Sequence, residues 1–321
     1  MLDETTTDDN GEYEFNGLLP GISTKYVVKE VMQVGWAYLT VEEKEVELTT
    51  GQDLVNIDFV NYKVAKITVQ KNLDTNGDGT ADSFNSSLWT YNATSEVLGF
   101  DNVENQTMGT SLTSLRPGMY TITENQDDEN YKFHSVTCDE GATVTITNDK
   151  VVIALESGDE VTCQYLNTKR QGTLIVEKVL NNNFGGNKEK TDFTFTKNDG
   201  ETPVAFEEDG INEFTMLVGD LYNVVEIQEN QDGYTTSYSN CNGTIPSTGS
   251  ATCIITNSDI APSLTLVKEV VNDNGGTAVK TDWTLTATGP TTIFGNGGAT
   301  SGDDFKAGTY TLSEAGEVVG Y

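Results

Sequence analysis

The chain has little of what most active sites are built from. It carries one histidine, His134, and four cysteines in 321 residues. With so few of these side chains it offers no Ser/His/Asp arrangement and no His-based metal site, and no phosphate-binding glycine loop occurs. Basic residues are scarce as well: 18 Lys and Arg stand against 50 Asp and Glu, a net charge of −32. Nucleic acid is therefore not an expected partner, because phosphate contact needs Lys and Arg. Six prolines are too few for a proline-rich stalk. No apolar run reaches the length of about 18 residues that a membrane-spanning helix needs. Met1 is followed by Leu-Asp-Glu rather than by a basic stretch and an apolar core, so the start does not read as a signal peptide. It also falls inside a repeat unit, and the chain is read as a window on a longer protein.

Short alternating runs rich in Val, Thr, Ile, Tyr and Phe remain, punctuated by Gly, Asn, Thr and Asp. Helix signals are weak, and the pattern predicts all-β sandwiches. The acidic coat suits solubility, cation binding or a salty exterior. Within the pattern one phrase recurs. Tyr26-x-x-x-Glu30, Tyr120-x-x-x-Glu124, Tyr222-x-x-x-Glu226 and Tyr310-x-x-x-Glu314 are each followed by a Tyr or Trp, and successive glutamates lie about 90 residues apart. That is the size of a small domain and marks a tandem repeat. Four units are expected: 1–62, lacking its first strand; 63–169; 170–259; and 260–321, lacking its last strands. Short linkers between them predict units set stiffly in a row, as a rod.

"LIVEKVLNNNFGGNKEKTDFTFT" (174–196) aligns without a gap on "LTLVKEVVNDNGGTAVKTDWTLT" (264–286), each with a Gly-Gly hairpin signal. Unit two opens with the similar "ITVQKN" (67–72), and units two and three close with "CQYLN" (163–167) and "CIITN" (253–257). Side chains alternate between the faces of a strand. Ile67, Val69 and Lys71 therefore share a face, as do Leu174, Val176 and Lys178, and Leu264, Leu266 and Lys268. At the other end Cys163, Tyr165 and Asn167 share a face, as do Cys253, Ile255 and Asn257. Each complete unit thus turns one Lys, one Glu and one Asn toward its core. A lone buried charge would cost several kcal/mol or be neutralised.

These phrases, with "GTLIVEKVLNNNFGG", "YSNCNGT" and "TCIITN", resemble the collagen-adhesin B-type domains of bacterial surface proteins, also called prealbumin-like domains. The resemblance covers most of residues 64–321. It implies tandem Greek-key β-sandwiches, immunoglobulin-like in architecture, in which a first-strand Lys and a last-strand Asn form an intramolecular isopeptide bond promoted by a central Glu. Carried over, Lys71 pairs with Asn167 and Glu124, and Lys178 with Asn257 and Glu226. Lys268 and Glu314 form a trio still lacking its Asn. Burial is expected to lower an amine toward neutrality and raise a carboxyl, so that the amine attacks the carboxamide while the acid relays protons and ammonia leaves. The alternative is an unreacted hydrogen-bonded network. Unit one resembles the B domains of serine-aspartate-repeat adhesins; Glu30 and Asn61 fit a trio there, without a Lys.

The repeat also orders the cysteines. Cys163 and Cys253 each precede the terminal Asn by four residues, and the in-unit pairing is Cys138–Cys163 and Cys241–Cys253. Disulfides place the chain outside the cell, at a cell surface. "DTNGDGTADS" (74–83) sets out Asp74, Asn76, Asp78, Thr80 and Asp82 in the spacing that opens an EF-hand loop, with Gly79 at the sharp turn, and calcium is the expected ion. Its twelfth position is Asn85 rather than the usual Glu. The functional expectation is a structural segment of an extracellular stalk or filament. Its partners would be further domains of the same chain or identical subunits. The alternative is an adhesin module for a host or surface ligand, with 85–111 as the longest insertion available to build a binding face.

Overall fold

A computed structural model describes residues 3–20, 25–84, 88–125, 128–198, 200–227, 229–230 and 232–321. Asn85, at the end of the acidic loop, lies outside the described residues. The fold is all-β: the helical elements among the described residues are two three-residue 3-10 turns, Lys190–Asp192 and Lys280–Asp282. Among the described residues no helix is long and apolar enough to cross a membrane. The chain divides into two compact units, Met1–Thr168 and Lys169–Tyr321.

In the first unit, two small ladders come first. Lys25–Lys29 pairs with Glu43–Glu47, and Trp36–Tyr38 pairs with Asn61–Lys63. A β-sandwich follows. One sheet runs Tyr131–Cys138, Glu160–Lys169, Ala65–Asp74 and Ser83–Phe84. The other is centred on Gly118–Asn125, flanked by Lys150–Leu155 and Thr90–Thr94. Burial follows the predicted parity: Ala65, Ile67, Val69 and Lys71 are buried while Lys66, Thr68 and Gln70 are half-exposed. The inward faces of both sheets build one apolar core that includes Val69, Tyr91, Tyr120, Ile122, Ile153 and Tyr165. The first strand and the last lie parallel, with Lys71 opposite Tyr165 and Leu73 opposite Asn167. A parallel pair needs a long crossover, so the intervening strands must fold between the two ends.

The second unit repeats the plan. Ile211–Leu217, Gln171–Asn181, Ser250–Asp259 and Tyr234–Ser239 form one sheet, again with the first and last strands parallel and Lys178 opposite Ile255. The facing sheet carries Glu226, paired with Phe195. The same unit ends in a smaller arrangement in which Thr265–Val267 pairs with Gly298–Thr300, and Thr284–Thr288 lies between Ile293–Asn296 and Thr311–Ala315.

The recurrent aromatic after each Glu has a physical role. Tyr234 packs edge-on to Phe193, its hydroxyl donates to Asn182 Oδ1 at 2.6 Å, and it accepts from the Lys188 amide at 3.3 Å. This ties the Gly-Gly hairpin down, and a Cβ on Gly186 would collide with the Tyr234 hydroxyl. Tyr321 does the same for Asn272, Ala278 and Gly276. The hairpin glycines are thus required by close approach as well as by the left-handed Gly185 (φ 92°) and Gly275 (φ 88°).

Both disulfides form in the predicted pairing, Cys138–Cys163 and Cys241–Cys253, and no free cysteine remains. Each anchors the last strand, four residues before the terminal Asn, to the C-terminal end of the neighbouring strand or the residues just after it. For the pair separated by 12 residues, the chain-entropy account gives a stabilisation of about 3 kcal/mol. Replacing Cys241 and Cys253 by Ser is expected to lower the unfolding free energy of residues 170–259 by about that amount, measured by denaturant titration.

Candidate functional site: a buried Lys–Glu–Asn trio

The parallel pairing puts Lys and Asn on adjacent strands of one sheet, and the facing sheet delivers Glu between them. Lys178, Glu226 and Asn257 are all buried, with at most 1% of their surface exposed. Lys178 Nζ donates to both Glu226 Oε2 and Asn257 Oδ1. Asn257 Nδ2 donates to Glu226 Oε1 at 2.8 Å. The amine, the carboxyl and the carboxamide therefore close a ring. In the first unit Lys71 Nζ donates to Glu124 Oε1, and Asn167 Nδ2 donates to the same oxygen at 3.2 Å. There, among the described residues, Glu124 Oε2 and Asn167 Oδ1 have no hydrogen-bond partner, so the ring is open between Lys71 and Asn167.

Burial drives the two titratable members of the first trio toward their neutral forms. It pushes the Lys71 amine down to about 8 against the pull of the Glu124 charge. It raises the Glu124 carboxyl, opposed by Lys71 and by the Asn167 hydrogen bond. Lys178 is likewise lowered by burial, with the Glu226 hydrogen bond and charge acting the other way. An amine and a carboxyl held together beside a carboxamide, away from water, are the groups that exchange of one amide for another requires.

Each lysine is also roofed by an aromatic ring. Trp89 lies 4.4 Å from Lys71 Nζ, Phe193 3.8 Å from Lys178 Nζ, and Trp283 4.3 Å from Lys268 Nζ, measured to ring centroids. Trp89 and Phe193 help to keep water from the buried Lys71 and Lys178, and all three rings offer a π-face to whatever positive charge remains. Thr191-Asp192-Phe193 and Thr281-Asp282-Trp283 stand out as a repeat in the sequence, but nothing in their spacing announces contact with the lysine. A second group missed by sequence reasoning surrounds Glu226. The Thr236 hydroxyl donates to Glu226 Oε1 at 3.3 Å and accepts from Asn257 Nδ2 at 3.2 Å, and Tyr238 OH accepts from the Glu226 amide at 3.1 Å.

The remaining predicted residues divide. Lys268 and Glu314 meet through two 2.8 Å hydrogen bonds, but Glu314 is 41% exposed at its side chain, and the Thr311–Ala315 strand is exposed throughout. The expected core-facing position of Glu314 is therefore not reached: among the described residues no last strand lies beside Thr265–Val267 to close that face. Glu30 accepts from Asn61 Nδ2, while among the described residues Glu30 Oε2 and Asn61 Oδ1 have no hydrogen-bond partner. In the acidic loop, Asp74 is fully buried and its carboxylate takes the Gly77, Asp78 and Gly79 amides and the Thr168 hydroxyl. Burial opposes its charge, yet these donors hold its carboxyl below the usual range. Asp82 accepts from Thr75 and Asn76, and Asp78 from Thr80 and Asn76. Among the described residues no three His, Cys, Asp or Glu side chains converge as a metal cluster.

A family model described as a prealbumin-like fold domain matches the chain three times, over residues 63–165, 170–261 and 259–321. No curated protein matches. Among solved structures, the Bacillus anthracis TIE protein is similar at 17% identity with a TM-score of 0.48, over 85% of this chain and 48% of that one. This chain thus spans about half the length of the TIE chain. A major pilin from Streptococcus pyogenes is similar at 19% identity with a TM-score of 0.28, over 61% of this chain and 98% of the pilin. Two B repeat units of the collagen binding protein of Staphylococcus aureus are similar at 18% identity with a TM-score of 0.28, over 87% of this chain and 83% of theirs.

The lowered Lys71 predicts a pH dependence wherever its amine is free, as in Asn167→Ala. Between about 8 and its ordinary value of 10.5 the unfolded chain binds the proton and the folded one does not. Stability must then rise with pH through that window, by up to about 3 kcal/mol, and the penalty must be complete below it. Denaturant titration at pH 7.5 and pH 10.5 checks this; a flat or falling stability contradicts the buried-amine assignment.

Proposed function

The chain belongs to the family of prealbumin-like fold domains, and from that membership we propose that it is a load-bearing segment of an extracellular stalk or filament. In this reading its domains, with limits at 1–62, 63–169, 170–259 and 260–321, are locked by Lys178–Asn257 and Lys71–Asn167 isopeptide bonds. Glu226 and Glu124 promote the two bonds. One observation carries the reading: Lys and Asn sit on the first and last strands of the same sandwich, side by side in a parallel ladder, with a carboxyl between them.

The chemistry is a single turnover on the chain itself. The Lys178 amine attacks Asn257 Cγ, and a Nζ–Cγ bond forms. The carboxyl of Glu226 gives a proton to Nδ2, the Cγ–Nδ2 bond breaks and ammonia departs. The proton lost by Nζ returns to the carboxylate, so the Glu is regenerated. A bond in this place routes tension from the first strand directly to the last, and the strands between carry none of it. The disulfides add a second tie on the same last strand. Lys268 and Glu314 form the equivalent amine–carboxyl pair of a third trio. Partners are further domains of the same chain or identical subunits, and the location is the cell surface, in keeping with the two disulfides. We infer further that calcium binds at Asp74, Asn76, Asp78, Thr80 and Asp82, whose hard oxygens suit that ion; it would brace the loop that ends the Lys71 strand.

Single-molecule pulling tests the load path. Residues 170–259 of the wild-type chain should show no unfolding extension, because the 79-residue separation between Lys178 and Asn257 is bridged. Glu226→Ala should release a length on the order of 200 Å, from about 3.4 Å per freed residue outside the disulfide loop. Equal extension in both proteins would overturn the proposal. For the loop, calcium is expected to raise the midpoint of thermal unfolding of residues 63–169 over that in chelator, and an unchanged midpoint would remove the ion from the account.

A further inference from the structure

The two complete trios differ in one respect that bears on their reactivity. In the second unit the ring is closed, with Asn257 Oδ1 turned to Lys178 Nζ and Nδ2 turned to Glu226. In the first unit Asn167 Nδ2 also donates to Glu124 Oε1, at a longer 3.2 Å, but among the described residues Asn167 Oδ1 has no hydrogen-bond partner and Lys71 Nζ hydrogen-bonds Glu124 and not the carboxamide. The side chains that separate the two cases lie on the strand next to the last one. Thr236 stands directly opposite Asn257 in the antiparallel pairing of Tyr234–Ser239 with Ser250–Asp259. Its hydroxyl is used to capacity: it accepts from Asn257 Nδ2 at 3.2 Å and from the Asn230 amide at 3.1 Å, and donates to Glu226 Oε1 at 3.3 Å. Asn230 Oδ1 in turn accepts the Thr236 amide at 2.9 Å, which fixes the residue from behind. With both lone pairs engaged, the hydroxyl hydrogen has one direction left, toward the carboxyl.

In the first unit the matching residue is Phe133. The position is set by two anchors, since Tyr131 and Cys138 flank it at the same distances as Tyr234 and Cys241 flank Thr236. Phe133 has no hydroxyl and packs its ring against Tyr165, with centroids 6.3 Å apart.

We propose that Thr236 is a positioning residue for isopeptide formation at Lys178–Asn257, holding the leaving nitrogen of Asn257 against Glu226 and the carbonyl toward the amine. The inference rests on the isopeptide reading above. An amide free to rotate places Nδ2 at the carboxyl only part of the time, and each misplacement denies the departing nitrogen its proton. An amide held by Thr236 begins every encounter with the leaving group beside the acid and Cγ presented to Nζ. The sequence therefore encodes two reaction rates in one chain, with the Thr236 site the faster.

The test is a refolding time course of the whole chain. Denatured, reduced protein is refolded under oxidising conditions, quenched at intervals and digested. The branched Lys178–Asn257 and Lys71–Asn167 peptides are then counted by mass, with the Cys241–Cys253 pair as the readout of native folding. In the wild type the Lys178–Asn257 peptide should appear first. Thr236→Val should slow it by about tenfold, the worth of one lost hydrogen bond at the transition state, and leave Lys71–Asn167 unchanged as an internal control. Thr236→Ser should restore the rate to within about twofold, which a merely structural loss of packing would not allow. Should valine prevent formation of the disulfide, Thr236→Ala against Thr236→Ser carries the same comparison. Equal rates in wild type and Thr236→Val, or failure of serine to rescue, would overturn the positioning role. Absence of the branched peptide from the wild type would instead overturn the cross-link itself.

Discussion

The structure depends on burying an amine. A lysine placed in the core of a small β-sandwich costs several kcal/mol unless its charge is shed or matched within hydrogen-bond reach. Lys71 and Lys178 are each 1% exposed, so the surroundings must supply everything water would have given. Three features follow. The last strand must lie parallel to the first to bring an asparagine alongside, the facing sheet must deliver a glutamate, and an aromatic ring must roof the remaining open side. The crossover that a parallel pair demands is the rest of the domain, so the site and the topology specify one another.

Much of this was legible because strand periodicity is a strict code. A lysine two residues beyond Val69 or Val176 cannot leave the core face without a bulge, and the observed burial alternates through Lys71 and Lys178. The disulfide pairing was legible for the same reason, since each unit held one pair. Contacts made across the core were less accessible. Trp89, Phe193 and Trp283 each stand just before a strand, Thr90–Thr94, Thr194–Thr196 and Thr284–Thr288, and meet the lysines across the core, where sequence spacing carries no information on which inward residues touch. Thr236 was hidden for a related reason: its register against Asn257 depends on a connection through a left-handed Asn230. Glu314 shows the converse limit. Parity gave it an inward face, but a face is buried only when a strand covers it, and the Thr311–Ala315 strand is exposed.

The features outside the trio serve the same end. The disulfides tie the last strand to its neighbour, the tyrosines Tyr234 and Tyr321 tie the hairpin that follows the lysine strand, and Asp259 caps that hairpin by accepting the amides of Asn183, Phe184 and Gly186. In the first unit Asp74 plays the capping part within the acidic loop. Each device fastens the first or the last strand of its sandwich, or the hairpin that follows the first. The acidic surface, at a net charge of −32, contributes solubility rather than cohesion.

The central claim is that Lys178 and Asn257 are one covalent unit. Intact mass of the purified chain, followed by tandem fragmentation of its digest, addresses it directly. The account predicts a deficit of about 17 Da for each bond, corresponding to one ammonia, and a branched peptide joining Lys178 to Asn257 that survives reduction of the disulfides. A mass equal to that of the unmodified sequence after allowance for the disulfides, with Lys178 and Asn257 recovered in separate linear peptides, would contradict it.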